Sequence, residues 1–482
     1  MQPHSSDRHE KRLELEKQAH ETASFIRESV SNDPSVLVAT HFDADGLTAG
    51  GIILRALNRA GATPHLRPIE GFYENVAEQL EQVESDLVIF TDIGSGQLEI
   101  ISKTLKSREV VVADHHQILG KETGNIHHFN SHLLGFNGSE EISGSGTSYL
   151  LAKAMDAANK DLSGLAIVGC LADQQDKGPD KTLKGLNAEI LQDALDARQI
   201  QVTKDLVLFG RETRPIHRAI ASTTTPFLPG LSGEEDKCLA LLDSANIQTK
   251  VDDRWRTISD LSLEEKRRLV DKIIENTIAS KASGEVALQL IGTVYTLMNE
   301  QPWTPLRDAR EYGSFLNACG RMGKAGLGIA LTVGDRGSAF DEAQEVYAEY
   351  KKFLAKYMNW ITTEPNAVKK ARNLIVVMGD GFIDENMTGA ISSLISSSSL
   401  FGPSKVTLVT TTTKNGQAKL STRASEELVE KGVNLGKILQ GLSTKYGGNG
   451  GGHAIAAGAT IPREQRDKFL QEFDRAVQAA LE

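Results

Sequence analysis

Three short apolar runs, rich in β-branched residues and lying near 35–40, 86–91 and 109–113, each lead directly into acidic or imidazole side chains. The first opens into His41-Phe42-Asp43-Ala44-Asp45-Gly46, the second into Asp92-Ile93-Gly94-Ser95-Gly96, the third into Asp114-His115-His116. Each run is too short for a buried helix, and segments of helical periodicity separate them. That alternation predicts βαβ units and a parallel, doubly wound α/β domain. In such a sheet the carboxyl ends of the strands form one edge, where ligands bind. The three clusters should therefore converge.

Carboxylates gathered in this way repel one another and take up protons unless a cation lies among them. A pair of divalent ions answers that need. Carboxylate and imidazole donors without thiolate suit Mn²⁺ first, with Mg²⁺, Co²⁺ and Zn²⁺ as alternatives. Along an extended segment His41, Asp43 and Asp45 fall on one side, and Gly46 frees the chain to turn into a helix. A fourth cluster, Cys170-Leu171-Ala172-Asp173-Gln174-Gln175-Asp176, follows a predicted helix and can add Asp173. Two ions roughly 3.5–4 Å apart acidify a shared water and clamp both oxygens of an in-line phosphoryl displacement. Hydrolysis of a phosphoester is the implied reaction.

Each cluster has an ordinary explanation when taken singly. Asp-Gly at a strand end is commonly a turn, His-His a packing pair, and Asp92 to Gly96 a helix cap. Three such clusters at three successive strand ends favour the site. Further along, Asn317-Ala318-Cys319-Gly320-Arg321 and Ser421-Thr422-Arg423 put guanidinium forks where they can hold a phosphate; surface ion pairing is the alternative. The glycine-dense loop from Gly447 through Gly450, Gly451 and Gly452 to His453 could bring backbone N–H groups close to a phosphate, or be a plain surface loop. Gly144 to Thr147, ahead of a predicted helix, could receive an anion or be an N-cap.

A chain of 482 residues exceeds one hydrophobic core. The expected parts are an N-terminal helix (1–32), ended by Asn32-Asp33-Pro34, and a catalytic domain (33–182). A mostly helical connector (183–284), with a Thr/Pro/Gly-rich loop at 222–230, then leads to a smaller C-terminal α/β domain (285–482). The strand-like runs of that last domain lie near 286–297, 327–333, 373–378 and 405–411. A net charge of −11 argues against coating nucleic acid through an overall positive field. The 3 cysteines form no CxxC pair, the N-terminal residues are polar where a signal peptide would be apolar, and no run approaches the roughly 18 apolar residues of a membrane span. A cytoplasmic protein that does not associate with membranes is expected.

The four clusters, in their order and approximate spacing, resemble the four motifs of the DHH superfamily of phosphoesterases. The segments around Arg321 and His453 resemble the substrate-binding elements of the C-terminal domain that accompanies it. Length and motif form are most similar to archaeal RecJ-like single-strand exonucleases, including the type that associates with GINS at the replication fork. The resemblance implies that His41, Asp43 and Asp92 hold one metal, and Asp45, Asp92, His115 and Asp173 the other, with Asp92 bridging. It implies that His116 contacts the scissile phosphate and that Asp114 orients the cluster. Asn317, Arg321, Arg423, Gly450, Gly451, Gly452 and His453 would bind single-stranded DNA or RNA from across an interdomain cleft. Other members imply other outcomes: an oligoribonuclease or cyclic-dinucleotide phosphodiesterase, a replisome scaffold subunit that has lost catalysis, or a manganese-dependent pyrophosphatase.

Overall fold

In a computed structural model, helix α1 (Ser5–Val30) precedes five strands: β1 (Val36–His41), β2 (His65–Ile69), β3 (Leu87–Thr91), β4 (Glu109–Asp114) and β5 (Ile126–Asn130). The structure describes all residues except 1–4, 32–34, 122–123, 177, 179, 224–225, 281–282 and 399, and the side chains of 5 and 6. The expected helix breaker Asn32-Asp33-Pro34, and Thr224 and Thr225 of the expected loop, lie outside the described residues. The five strands form one sheet in the order β2-β1-β3-β4-β5, and all its pairings are parallel.

Both faces of the sheet are covered, which is why residues 36–39 of β1, 87–90 of β3 and 110–113 of β4 are continuously apolar instead of alternating. On one face Leu37, Ala39, Val88, Phe90, Val110 and Val112 pack with α3 (Glu74–Glu81) and α4 (Leu98–Thr104). The other carries α2 (Ala44–Arg59) and α5 (Gly144–Met155), against which α6 (Ser163–Ala172) also packs.

The chain divides into two compact units: residues 1–222 with 233–347, and residues 223–232 with 348–482. The expected boundary at 284/285 therefore falls inside the first unit. After α7 (Gly185–Asp196), strand β6 (Ile200–Leu206) pairs antiparallel with Ile291–Leu297, from Ile200 opposite Leu297 to Leu206 opposite Ile291. Of the run near 286–297, Glu285–Leu288 is a short helix and only Ile291–Leu297 a strand, one that lies within the first unit and pairs with β6. The run near 327–333 is helix Ala325–Thr332 and not a strand. A short apolar stretch suits a buried helix as well as a strand, and burial of Ile329 and Leu331 decided it here.

In the second unit a mixed sheet runs in the order Val368–Lys370, Leu374–Met378, Val406–Thr412, Gln417–Arg423, Ala456–Pro462, Asn449–Gly452. Its core packs Leu374, Leu408, Leu420 and Ile461 against Phe469, Phe473 and Val477 of the terminal helix Arg466–Leu481. No helix among the described residues is long and apolar enough to cross a membrane.

Candidate metal centre

The parallel register places the ends of β1, β3 and β4 side by side, with Thr40 opposite Thr91 and Thr91 opposite Ala113. The residues that follow them meet as expected. Ligand atoms of His41, Asp43 and Asp92 lie within 4.8 Å of one another, as do those of Asp45, His115 and Asp173, and those of Asp92, Asp114, His115 and His116. Asp92 faces both ways. Its Oδ2 is 3.7 Å from His41 Nδ1, and its Oδ1 is 3.1 Å from His115 Nε2.

Each of these side chains is oriented by the fold. Asp43 caps α2 by accepting the Gly46 N–H, and His41 Nδ1 stands 3.1 Å from its carboxylate. Asp45 is 4 % exposed and accepts the N–H groups of Gly144 at 2.7 Å and Ser145 at 2.9 Å. The anion received at the start of α5 is thus a carboxylate of the chain itself, held by the first-turn amides that any helix leaves unpaired. His115 Nδ1 lies 2.6 Å from the Gly138 carbonyl and 3.2 Å from that of Ile142. Carbonyls only accept, so Nδ1 carries a proton and Nε2 is turned toward the carboxylates. Asp114 accepts the N–H groups of Ser95, His115 and His116 and the His116 ring at 2.8 Å.

The electrostatics express crowding. Burial, reinforced by Asp92 and Asp173, pushes the Asp45 carboxyl up to about 7, and burial raises Asp173 as well. Burial works against charge on His115, yet Asp92, Asp173 and Asp45 outweigh it and raise the imidazole well above its ordinary range. Burial likewise opposes charge on Asp114, but His116, His115 and the Ser95 N–H hold its carboxyl well below the carboxylate range. Protons are therefore retained to offset negative charge that a dication would neutralise. Asp92 Oδ1 is buried and accepts no well-aligned hydrogen bond. A Cβ on Gly144 would stand 2.3 Å from that oxygen, and one on Gly169 would stand 2.5 Å from Asp45 Oδ1. A buried carboxylate oxygen without a well-aligned donor, helix backbones that only glycine lets approach these carboxylates, and an oxygen-rich donor set together fit a divalent pair.

The expected substrate-binding residues are divided between the two units. Asn317 and Arg321 belong to helix Ala309–Arg321 of the first unit, not to the second domain. Asn317 Oδ1 accepts the Ala44 N–H at 3.0 Å, and Arg321 places its charge near Asp43. In the second unit Arg423 ends a strand and its Nε donates to Ser393 Oγ at 2.9 Å. The expected glycine loop is largely an edge strand, with Gly450, Gly451 and Gly452 paired to Ala459, Gly458 and Ala457. The His453 N–H donates to Ala456 at 2.8 Å. Sequence reasoning missed Gln175, Asn187 and Asn130. Asn130 donates to the His116 carbonyl at 2.9 Å and to Ser95 Oγ at 2.8 Å; a lone buried amide carries no periodic signal.

Residues 35–172 match the DHH family, N-terminal domain; residues 208–291 the DHH-CID domain; residues 373–479 the DHHA1 domain. An uncharacterised protein of Methanocaldococcus jannaschii is 29% identical over 479 residues, covering 96% of this chain and 98% of that one. RecJ of Thermus thermophilus in complex with Mn²⁺ shares 17% identity at a TM-score of 0.56, over 96% of this chain and 55% of that one. This chain thus spans little more than half of that RecJ. CDC45 of Entamoeba histolytica shares 12% identity at a TM-score of 0.64, over 96% of this chain and 99% of that one. At such identities the two solved structures are likenesses of fold.

Proposed function

Because this chain belongs to the DHH superfamily, we propose that it is a two-metal phosphodiesterase that hydrolyses single-stranded DNA, and also RNA, from an end in the manner of RecJ. The observation that carries this reading is the pair of ligand groups, His41 with Asp43 and Asp45 with His115 and Asp173, that share Asp92. Divalent ions bound there, Mn²⁺ by preference, supply charge neutralisation and a water acidified toward neutrality. Asp92 would belong to both ion sites, since its two oxygens face different groups. Asp114 fixes the His116 ring, which then contacts the scissile phosphate. In the first unit Arg321, beside Asp43, holds the phosphate while Asn317 steadies the Ala44 turn; in the second unit Arg423, Gly450, Gly451, Gly452 and His453 bind the nucleic-acid strand. Three buried cysteines, none of them in a disulfide, suit action in the cytoplasm.

The test is digestion of single-stranded DNA and RNA labelled at either end, with Mn²⁺, beside Asp92→Ala. Laddering from one end that Asp92→Ala abolishes supports the proposal. Cleavage of dinucleotides alone would replace it with an oligoribonuclease or cyclic-dinucleotide phosphodiesterase.

Likeness to CDC45 along almost the full length of both chains favours a second reading, a replisome scaffold subunit that binds GINS and other replisome proteins. The intact ligand set argues against scaffolding alone. Co-purification with GINS, without hydrolysis of any substrate above, would favour it.

A further inference from the structure

Helix α6 ends in an uncommon way. The Gln175 N–H bonds to Cys170 and the Gln174 N–H to Leu171, each at 3.1 Å, while Gln174 adopts a left-handed backbone with φ 57°. Helices usually place glycine there, since a side chain in that conformation crowds its own backbone. The reversal turns Gln175, 1% exposed, back beneath the metal ligands. Its Nε2 lies 2.8 Å from Asp173 Oδ2, 2.9 Å from the Gly138 carbonyl and 3.1 Å from the Ile142 carbonyl. Those two carbonyls also hold Nδ1 of His115. One amide therefore touches one ligand directly and a second through shared acceptors.

The amide has a single acceptable orientation. Turned over, its oxygen would face a carboxylate and two carbonyls, with no donor among them. Asn187, buried on α7, enforces the correct one by donating Nδ2 to Gln175 Oε1 at 2.6 Å. Asn187 is aligned in turn, because its Oδ1 takes the Cys170 S–H at 3.0 Å. The chain of donors runs one way, from Cys170 through Asn187 and Gln175 to Asp173 and the two carbonyls.

We infer that Gln175, oriented by Asn187, is a positioning residue that sets Asp173 and His115 as ligands of one of the two metals. This rests on the metal-centre reading above. Groups behind the ligands commonly govern metal affinity by roughly 10- to 100-fold. Here they act on one side of the centre, because neither residue hydrogen-bonds to His41 or Asp43. Asn187 lies beyond the stretch 35–172 that matches the DHH family.

Mn²⁺ binding followed by electron paramagnetic resonance, without substrate, tests this in wild type, Gln175→Leu and Asn187→Leu. The expected result is two ions in wild type, and in Gln175→Leu one ion weakened roughly 10- to 100-fold with the other unchanged. Asn187→Leu should weaken the same ion by less. Circular dichroism in EDTA verifies folding, and if Gln175→Leu does not fold, Asn187→Leu decides alone. Unchanged binding, or equal weakening of both ions in a folded variant, overturns the inference while leaving the metal centre standing. A wild-type protein that binds no Mn²⁺ overturns both.

Discussion

Asp92 has a left-handed backbone, φ 58°, and Gly144 packs so closely against it that a Cβ on Gly144 would stand 2.3 Å from Asp92 Oδ1. The start of α5 and the end of β3 are thus fitted together around the shared carboxylate. Gly144 also supplies one of the two N–H groups that hold Asp45. Substitution Gly144→Ala must move Asp92, α5 or both. Overpacking of this kind costs about 1–3 kcal/mol. The larger effect should be functional: phosphodiesterase activity is expected to fall by about 100-fold or more, since a displacement of about 1 Å suffices for that. Wild-type turnover by Gly144→Ala would show that the two elements are not coupled in this way.

Ion binding should stabilise the fold, because the buried carboxylates around Asp92 lose their mutual repulsion only when neutralised. At an Mn²⁺ concentration 100 times its dissociation constant the gain is about 2.7 kcal/mol per site. Thermal melts with Mn²⁺ and with EDTA should differ by several degrees in wild type. Asp92→Ala should show little difference, and a metal-induced shift of wild-type size in that variant would place the ions elsewhere.

Asn317 ties helix Ala309–Arg321 to the turn between His41 and Asp45 by accepting the Ala44 N–H. Asn317→Ala leaves that amide unsatisfied at a cost of about 1–3 kcal/mol. Activity should fall by roughly 10-fold with Mn²⁺ stoichiometry retained, a pattern expected of an outer support and one that calorimetric titration can check.

Glu311, on the same helix and 2% exposed, accepts the Glu212 N–H and the Thr213 hydroxyl. Burial, with Asp308 and Glu212 nearby, raises its carboxyl to about 8 from an ordinary 4.5. The folded protein therefore binds more protons than the unfolded one between those values. The contribution is fully present below the unfolded value and is lost as pH rises through the folded value, with a slope of up to about 1.4 kcal/mol per pH unit. Urea denaturation of wild type at pH 5 and pH 8 should show this loss in excess of that in Glu311→Gln. Parallel profiles for the two proteins would count against it.

The sequence by itself determined the parallel sheet and the acidic and imidazole side chains gathered at its edge. Apolar β-branched runs with no polar alternation have to be buried on both faces, and successive parallel strands deliver whatever follows them to one edge. Asp43, Asp45, Asp92, Asp114 and His115 were therefore legible from local pattern alone. Tertiary structure decided what local pattern does not encode. It gave the run at 325–332 to a helix and the strand at 291–297 to β6. It brought Asn317 to Ala44 across 273 residues of chain, and directed the amides at the start of α5 onto Asp45 instead of an external anion. Strand-end chemistry follows from the periodicity of neighbouring residues, whereas the partner of a buried amide is settled only when distant segments close around it and leave a single acceptor within reach.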